Sequence, residues 1–181
     1  MLIAQQKRRT NIAEYILYIW QLEDLIRAFD FDMEKIVVSL VSQFDVDAFT
    51  QREIADYYQN MVSMMQKERL QHRGHIQAIV NVANDVNDFI MQLIRSGKDA
   101  QFVQLYQMAK PVLDEFRLKS NDVDQHDVQA ALGFLYGMML LKMQRKEISK
   151  GTLEASKHVS RMLAHLSVQY KKYEEDLLDL D

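Results

Sequence analysis

The stretch AALGFLYGMMLL, Ala130–Leu141, decides the fold, because every one of its residues is apolar or glycine. A helix through it is hydrophobic on all sides, and such a helix is buried in a protein core or in a membrane. A membrane crossing needs about 20 apolar residues, whereas Asp127 and Lys142 bound this run closely. The stretch therefore predicts the central helix of a water-soluble helical bundle.

Two glycines inside this stretch indicate how its helix packs. Gly133 and Gly137 are four residues apart, and Ala130 precedes Gly133 by three, so the three fall on one helical stripe. A stripe of small residues lets a neighbouring helix approach closely. We therefore expect Gly137 to face another helix, and a larger side chain there to destabilise the fold.

The composition favours an all-α protein. One proline and five glycines in 181 residues leave little material for hairpin turns, and the apolar residues recur every three or four positions, as in helices. A chain of this size can bury roughly 70% of the surface that its unfolded form exposes. We therefore predict one domain over residues 1–181, a compact bundle of six or seven helices around the central apolar helix.

The cysteine count and the N-terminus bear on the cellular location. The chain has no cysteine, which excludes disulfides, thiolate metal sites and a cysteine nucleophile. Lys7, Arg8 and Arg9 precede an apolar stretch as in a signal peptide, but Asn11 and Glu14 interrupt that stretch. We expect neither a secretion signal nor a membrane segment, and a cytoplasmic location.

Several residues stand where helices are expected to begin or end. Asn11 with Glu14, and Thr50 with Glu53, have the spacing of a capping box, in which two side chains bind backbone N–H groups at a helix start. Asp99 is a further expected cap. Between these positions, six residues recur at spacings of three and four and predict a seam between paired helices: Ile76, Ile79, Ala83, Val86, Ile90 and Leu93.

Charge is unevenly distributed, although the net charge is only −4. Ten acidic residues lie between Glu14 and Asp56 against three basic ones, whereas eight basic residues lie between Lys142 and Lys172 against two acidic ones. One interpretation is that opposite charges attract within the packed bundle. The other is a basic surface for an acidic partner or a nucleic acid. The acidic tail from Glu174 onward, directly after the last lysines, argues against nucleic acid.

One cluster has the residue types of a metal site. Glu68, His72 and His75 are spaced so that all three would project from one side of a helix. Carboxylates and imidazoles on facing helices form metal sites in bundles, and Glu154, His158 and His165 repeat a similar pattern near the C-terminus. No Glu-x-x-His motif of the di-iron kind occurs. The alternative is a set of exposed polar positions with weak Glu–His contacts.

Other catalytic and metal-binding patterns fail on inspection. Asp30, Asp32 and Glu34 resemble the start of a calcium loop, but Lys35 stands where glycine is required and Val41 where the bidentate glutamate is required. No serine is placed on a strained elbow or paired with a histidine. The sequence predicts no catalytic residue and no cofactor, and it does not favour an enzyme.

The N-terminal block MLIAQQKRRTNIAEYILYIWQLEDLIRA, the acidic-capped helix after it and the ALGFLYG core resemble a family of bacterial proteins of unknown function. The resemblance covers the whole chain. It implies a single all-helical domain in a bacterial cytoplasm. It brings no catalytic or binding residues with it.

These observations favour a helical interaction or scaffold protein that self-associates as a homodimer, with a second protein as a further partner. A bundle that binds a small ligand or a divalent metal through the region of Glu68 and His72 is the alternative from a different class. A nucleic-acid-binding regulator with Thr50–Met61 as recognition helix is the weakest candidate. Only Arg52 in that helix could neutralise a phosphate, so we expect no nucleic-acid partner.

Overall fold

The computed structural model describes residues 2–180, and within that range the protein is an all-α bundle. It has eight α-helices and one short 3-10 helix at Val41–Gln43, against the six or seven helices expected. The additional helix precedes Asn11. The helices are α1 (Leu2–Thr10), α2 (Ile12–Ala28), α3 (Met33–Ser39), α4 (Ala48–Lys67), α5 (Gln77–Ser96), α6 (Ala100–Ser120), α7 (Asp127–Met143) and α8 (Lys150–Glu174).

Short polar side chains cap the starts of five of the described helices, α2, α3, α4, α6 and α8. Asn11 accepts a hydrogen bond of 3.1 Å from the N–H group of Glu14 at the start of α2, as predicted. Asp99 caps α6 in the same way, also as predicted. The expected start of α4 is wrong, because Asp47 rather than Thr50 accepts the first N–H groups of that helix. Asp47 reaches two of these groups, so the helix begins three residues earlier.

The predicted seam forms the buried face of α5. All six of its residues are buried, and Ile90 and Leu93 have no exposed surface. The helix ends at Ser96, and Gly97 follows in the left-handed conformation with φ of 63°, which glycine adopts without strain. Through this face α5 packs against α2, α6, α7 and α8.

Three helices share the centre of the bundle. The predicted central helix α7 packs against α2, α5, α6 and α8, whereas α2 packs against α1, α4, α5, α7 and α8, and α8 packs against α1, α2, α5, α6 and α7. Helices α6, α7 and α8 pack together, and α4 packs on α2 and α3. The segment from α3 to the first half of α4 therefore lies on a different part of the surface from the α6–α8 group.

The apolar stretch of α7 is buried only at its first three residues and at Met138. Ala130, Ala131 and Leu132 have no exposed surface, but every residue from Gly133 to Leu141 except Met138 is half-buried. The expectation of burial on all sides is therefore met at the N-terminal end and not at the C-terminal end. In the described part of the chain, none of the helices is long and apolar enough to span a membrane.

A buried ionic network ties α6 to the start of α7. The carboxylate of Asp127 accepts hydrogen bonds from Tyr106, from Lys110 at 3.1 Å and from Arg117. Arg117 also donates to the carbonyl of Gln125 at 2.7 Å. Since most of these groups are largely removed from solvent, each needs its partner. The network fixes the loop between the two helices.

Candidate functional site

Two side chains of α2, one helical turn apart, hold the loop between α4 and α5. Glu23 has no exposed surface, and its Oε2 atom lies 2.5 Å from Nδ1 of His75. Its Oε1 atom accepts the N–H of Ile76 at 2.9 Å. Arg27 donates to the carbonyl groups of Leu70, at 3.0 Å, and of Gly74. The loop is thus fixed at its beginning and at its end.

The ring of Trp20 is the centre of an aromatic cluster. His75 stacks on it with ring centroids 4.2 Å apart, and Tyr136 of α7 meets it edge-on at 5.8 Å. The hydroxyl of Tyr136 donates to Asp24. Burial, reinforced by this hydrogen bond, raises the pKa of Tyr136 well above its usual range. Tyr136 therefore stays a neutral hydrogen-bond donor at physiological pH.

These residues line a cleft of about 340 Å³, which we call the His75 cleft. Its walls come from α2, from the loop between α4 and α5, from the end of the loop between α6 and α7, and from α7. Sequence reasoning missed its anchor, Glu23, although the signal was present: this acid stands between Leu22 and Ile26 on an apolar helix. Its partner His75 is far away in sequence, so local spacing could not identify the pair.

The predicted placement of Glu68, His72 and His75 on one side of a helix is wrong. Helix α4 ends at Lys67 and α5 begins at Gln77, so Glu68, His72 and His75 lie in a loop and share no helix face. Glu68 accepts the N–H of Gln77 at 2.7 Å, and Nδ1 of His75 is taken by Glu23. Across residues 2–180, no group of three or more histidine, cysteine, aspartate or glutamate side chains is arranged to hold a metal ion.

The second cluster named with them is also dispersed. Glu154 pairs with Lys157 at 2.6 Å on the surface of α8. His165 lies two turns beyond His158 and pairs with Asp99 at 2.7 Å. The first contact lies within α8 and the second joins α8 to the start of α6, so Glu154 and His165 have separate partners.

A larger groove lies between α6, α7 and α8, which we call the α6–α8 groove. Its volume is about 870 Å³, and Phe116 and Phe134 meet edge-on within it at 5.9 Å. Its floor is apolar and its rim is polar. The floor residues are Val112, Phe116, Phe134, Gly137, Met138, Leu140, Leu141 and Ala155, and the rim includes Glu115, Lys119, Gln144, Ser149 and Thr152.

The groove corrects the expectation for Gly137. A Cβ atom built on Gly137 would meet no atom of the described residues within 4 Å, so this glycine faces the open groove rather than a helix. Gly133 behaves as predicted, because a Cβ atom there would lie 3.2 Å from the ring of Phe116. The close approach is therefore confined to one of the two glycines.

Basic residues predominate where the chain connects α7 to α8 beside the groove, which we call the open end of the groove, and Glu147 is the one acid of that connection. Lys142, Arg145, Lys146 and Lys150 follow directly on the lining residues and are all exposed. In the part of the chain that the structure describes, none of the four forms an ion pair. Met143, which is 72% exposed, lies among them. The groove thus combines an apolar floor with unpaired surface cations.

A second surface has the opposite charge. We call it the acidic face, and it comprises α3, the 3-10 helix and the first half of α4, residues 33–56. Two of its apolar side chains are prominently exposed, Val38 at 70% and Phe49 at 71%. Exposed acids surround them, namely Glu34, Asp45, Asp47, Glu53 and Asp56. Only Lys35 and Arg52 in this segment are basic.

These features define the class of protein: an all-helical bundle with a polar cleft on one part of its surface and an apolar, basic-rimmed groove on another. A model of the family described as a domain of unknown function, DUF4924, matches residues 1–176. The chain belongs to this family, in agreement with the resemblance found in its sequence. No curated protein and no solved structure matches the chain.

Proposed function

We propose that this protein is a helical interaction protein that forms a homodimer, in which the acidic face of each copy covers the α6–α8 groove of the other. The observation that carries the proposal is that two surfaces with exposed apolar side chains have opposite charges. An interaction surface is typically an apolar patch with a polar or charged rim. Both surfaces fit that description.

Charge complementarity supports a second copy as the occupant of the groove. The four cations at the open end of the groove have no ion-pair partners among residues 2–180, and the acidic face has acids in excess. Surfaces of opposite charge attract each other and reject partners of like charge. A two-fold axis makes the contact twice, once at each groove.

Phe49 is the anchor that we assign to this contact. It stands in the first turn of α4 and exposes 71% of its surface. Aromatic side chains are enriched at interface centres, where they fill apolar pockets. The floor of the groove, with its aromatic pair and the flexible Met138, can accommodate such a ring. A stable contact of this kind covers about 800 Å² of each partner.

Light scattering on a sizing column measures the proposed dimer directly. At micromolar concentration we expect a mass of twice 21.3 kDa. Salt should weaken the dimer only modestly, because the centre of the contact is apolar. The Phe49→Ser variant should be a monomer with unchanged stability. Leu177→Ser is the matched control, since Leu177 is also 71% exposed but lies outside both surfaces.

A charge swap tests the pairing of the two surfaces. Glu53→Lys with Asp56→Lys reverses the acidic face, and Lys142→Glu with Lys146→Glu and Lys150→Glu reverses the groove. Each variant alone should be monomeric, because its two surfaces then have like charge. An equal mixture should form heterodimers, since both contacts regain opposite charges. A monomeric wild-type chain at all concentrations, or a Phe49→Ser variant that still dimerises, contradicts the proposal.

The cellular location of the protein is part of the same proposal. The absence of cysteine is compatible with a reducing compartment, and the family resemblance is to bacterial proteins. We accordingly propose a bacterial cytoplasmic protein. Fractionation of the native cells, with an antibody against the chain, would measure its location.

A further inference from the structure

We propose that the His75 cleft binds a small organic carboxylate that also bears a hydroxyl or amino group. The cleft shares no residue with the α6–α8 groove or with the acidic face. This site is therefore independent of the proposed dimer. Its volume, about 340 Å³, is in the range of small-molecule sites, roughly 300–1,000 Å³.

The Glu23–His75 pair leaves one ring nitrogen of His75, Nε2, available to a ligand. Because Glu23 occupies Nδ1, Nε2 is the ring nitrogen that remains available, and the side chain of His75 is 29% exposed at the cleft. The carboxylate and the stacked Trp20 fix the orientation of the ring. When one ring nitrogen of a histidine contacts a ligand, a carboxylate commonly binds the other ring nitrogen and orients the imidazole.

Arg73 provides the charge that selects an anion. The other ionic groups of the cleft are already paired, since Asp24 binds Arg27 and Tyr136, and Glu23 binds His75. The guanidinium of Arg73 has no hydrogen bond or ion pair with any residue in the described range. Guanidinium groups bind carboxylates with two parallel hydrogen bonds. Arg73 is therefore the charged group of the cleft that remains open to a ligand.

An acceptor atom of Gln125 without a hydrogen-bond partner indicates that the ligand also has a hydrogen-bond donor. Gln125 lines the cleft, and its Nε2 group donates to Asp122 at 2.8 Å. Its Oε1 atom is buried and has no hydrogen-bond partner among the described residues. Buried polar atoms are almost always paired, and an orphan indicates a missing donor. A hydroxyl or amino group of the ligand would supply it once the amide of Gln125 turns toward the cleft.

The fluorescence of Trp20 reports ligand binding directly, because Trp20 is the only tryptophan in the chain and lines the cleft. The probes are mandelate, phenylacetate, which lacks the hydroxyl, and mandelamide, which lacks the charge. We expect mandelate to change the fluorescence of Trp20 saturably. Each of the other two probes should bind about tenfold or more weakly, the loss typical of one good hydrogen bond to a charged or buried group.

The Arg73→Gln variant decides whether the cleft is the site. It should fold normally, because Arg73 is exposed, and bind mandelate about tenfold or more weakly. Arg95→Gln, on the surface of α5, is the matched control and should bind like wild type. The proposal is overturned if mandelate causes no saturable change, or if the Arg73→Gln variant binds it as tightly as wild type. Repeating the titration with Phe49→Ser separates this result from self-association.

Discussion

The carboxylate of Glu23 is fully buried in α2 and lies 2.5 Å from Nδ1 of His75, which belongs to the loop before α5. The same carboxylate accepts the N–H of Ile76, where α5 begins. One side chain therefore sets both the orientation of a histidine and the start of a helix. Because a buried charge without a partner is costly, this pair links the stability of the bundle to the shape of the cleft.

Glu23→Ala should destabilise the protein by about 3 kcal/mol, because it leaves a buried N–H group and an imidazole without their acceptor. Glu23→Gln keeps one acceptor oxygen and should cost about 1–2 kcal/mol. Urea unfolding followed by circular dichroism measures both values. Asp85→Asn, an exposed change on α5, is the control and should stay within about 0.5 kcal/mol of wild type. Equal stability of Glu23→Ala and the control would show that the pair does not hold the loop.

His126 should make the protein less stable in mildly acidic solution. Its Nδ1 atom caps α7 by accepting the N–H of Gln129 at 3.1 Å, and burial lowers the pKa of His126. The unfolded chain, with a histidine pKa of about 6.5, then takes up a proton before the folded chain does. This stability contribution is complete above about pH 6.5 and falls as the pH drops below that value.

The titration of His126 can be followed by nuclear magnetic resonance of its ring protons, and its midpoint should lie below about 6.5. His126→Asn keeps a good capping side chain without the titration. The variant should therefore lose less stability than wild type between about pH 7 and pH 5. Identical pH profiles for the two proteins would contradict the assignment.

Asp127 should stabilise the protein at neutral pH and lose this contribution at a lower pH than His126 does. Burial on its own would raise the pKa of Asp127, but hydrogen bonds from Tyr106, Arg117 and Lys110 outweigh burial and hold it below the ordinary value. A carboxyl whose folded pKa is depressed stabilises the protein above its unfolded pKa, about 3.9, and this stabilisation is lost as the pH falls further.

Asp127→Asn should accordingly be less stable than wild type at pH 7, by about 3 kcal/mol, because Arg117 loses its buried partner. The difference should shrink as the pH falls below about 4. Unfolding curves in urea at a series of pH values measure it. Asp114→Asn, a change in the exposed part of the same network, is the control. A constant difference at all pH values would mean that Asp127 does not titrate as stated.

The parts of the fold that depend on local rules could be predicted from the sequence. The seam of α5 follows from the spacing of six apolar residues, and the start of α2 follows from Asn11, because a cap and its N–H group are neighbours in the chain. The same rules placed α4 three residues late, since Thr50 and Asp47 both have capping side chains. Only the actual hydrogen bonds distinguish them.

The candidate sites depend on contacts that spacing does not reveal. Helical periodicity placed Glu68, His72 and His75 on one face, but the chain leaves the helix after Lys67. Gly74, with a φ of 91° that suits glycine, contributes to that loop and was the one local sign of a bend. Which groups meet across the bundle is decided by tertiary packing, so the cleft and the groove became visible only in the structure.

Gly137→Leu distinguishes the structure from the sequence prediction most directly. Since a side chain at Gly137 enters the open groove and leucine is a better helix former than glycine by about 1 kcal/mol, the variant should be at least as stable as wild type. It should also weaken the proposed dimer by filling the groove. Gly133→Leu is the control and should cost about 1–3 kcal/mol through its contact with Phe116. Thermal unfolding and light scattering measure the two effects. If Gly137→Leu is the less stable of the two variants, Gly137 packs against a helix as the sequence predicted, and the groove is closed in solution.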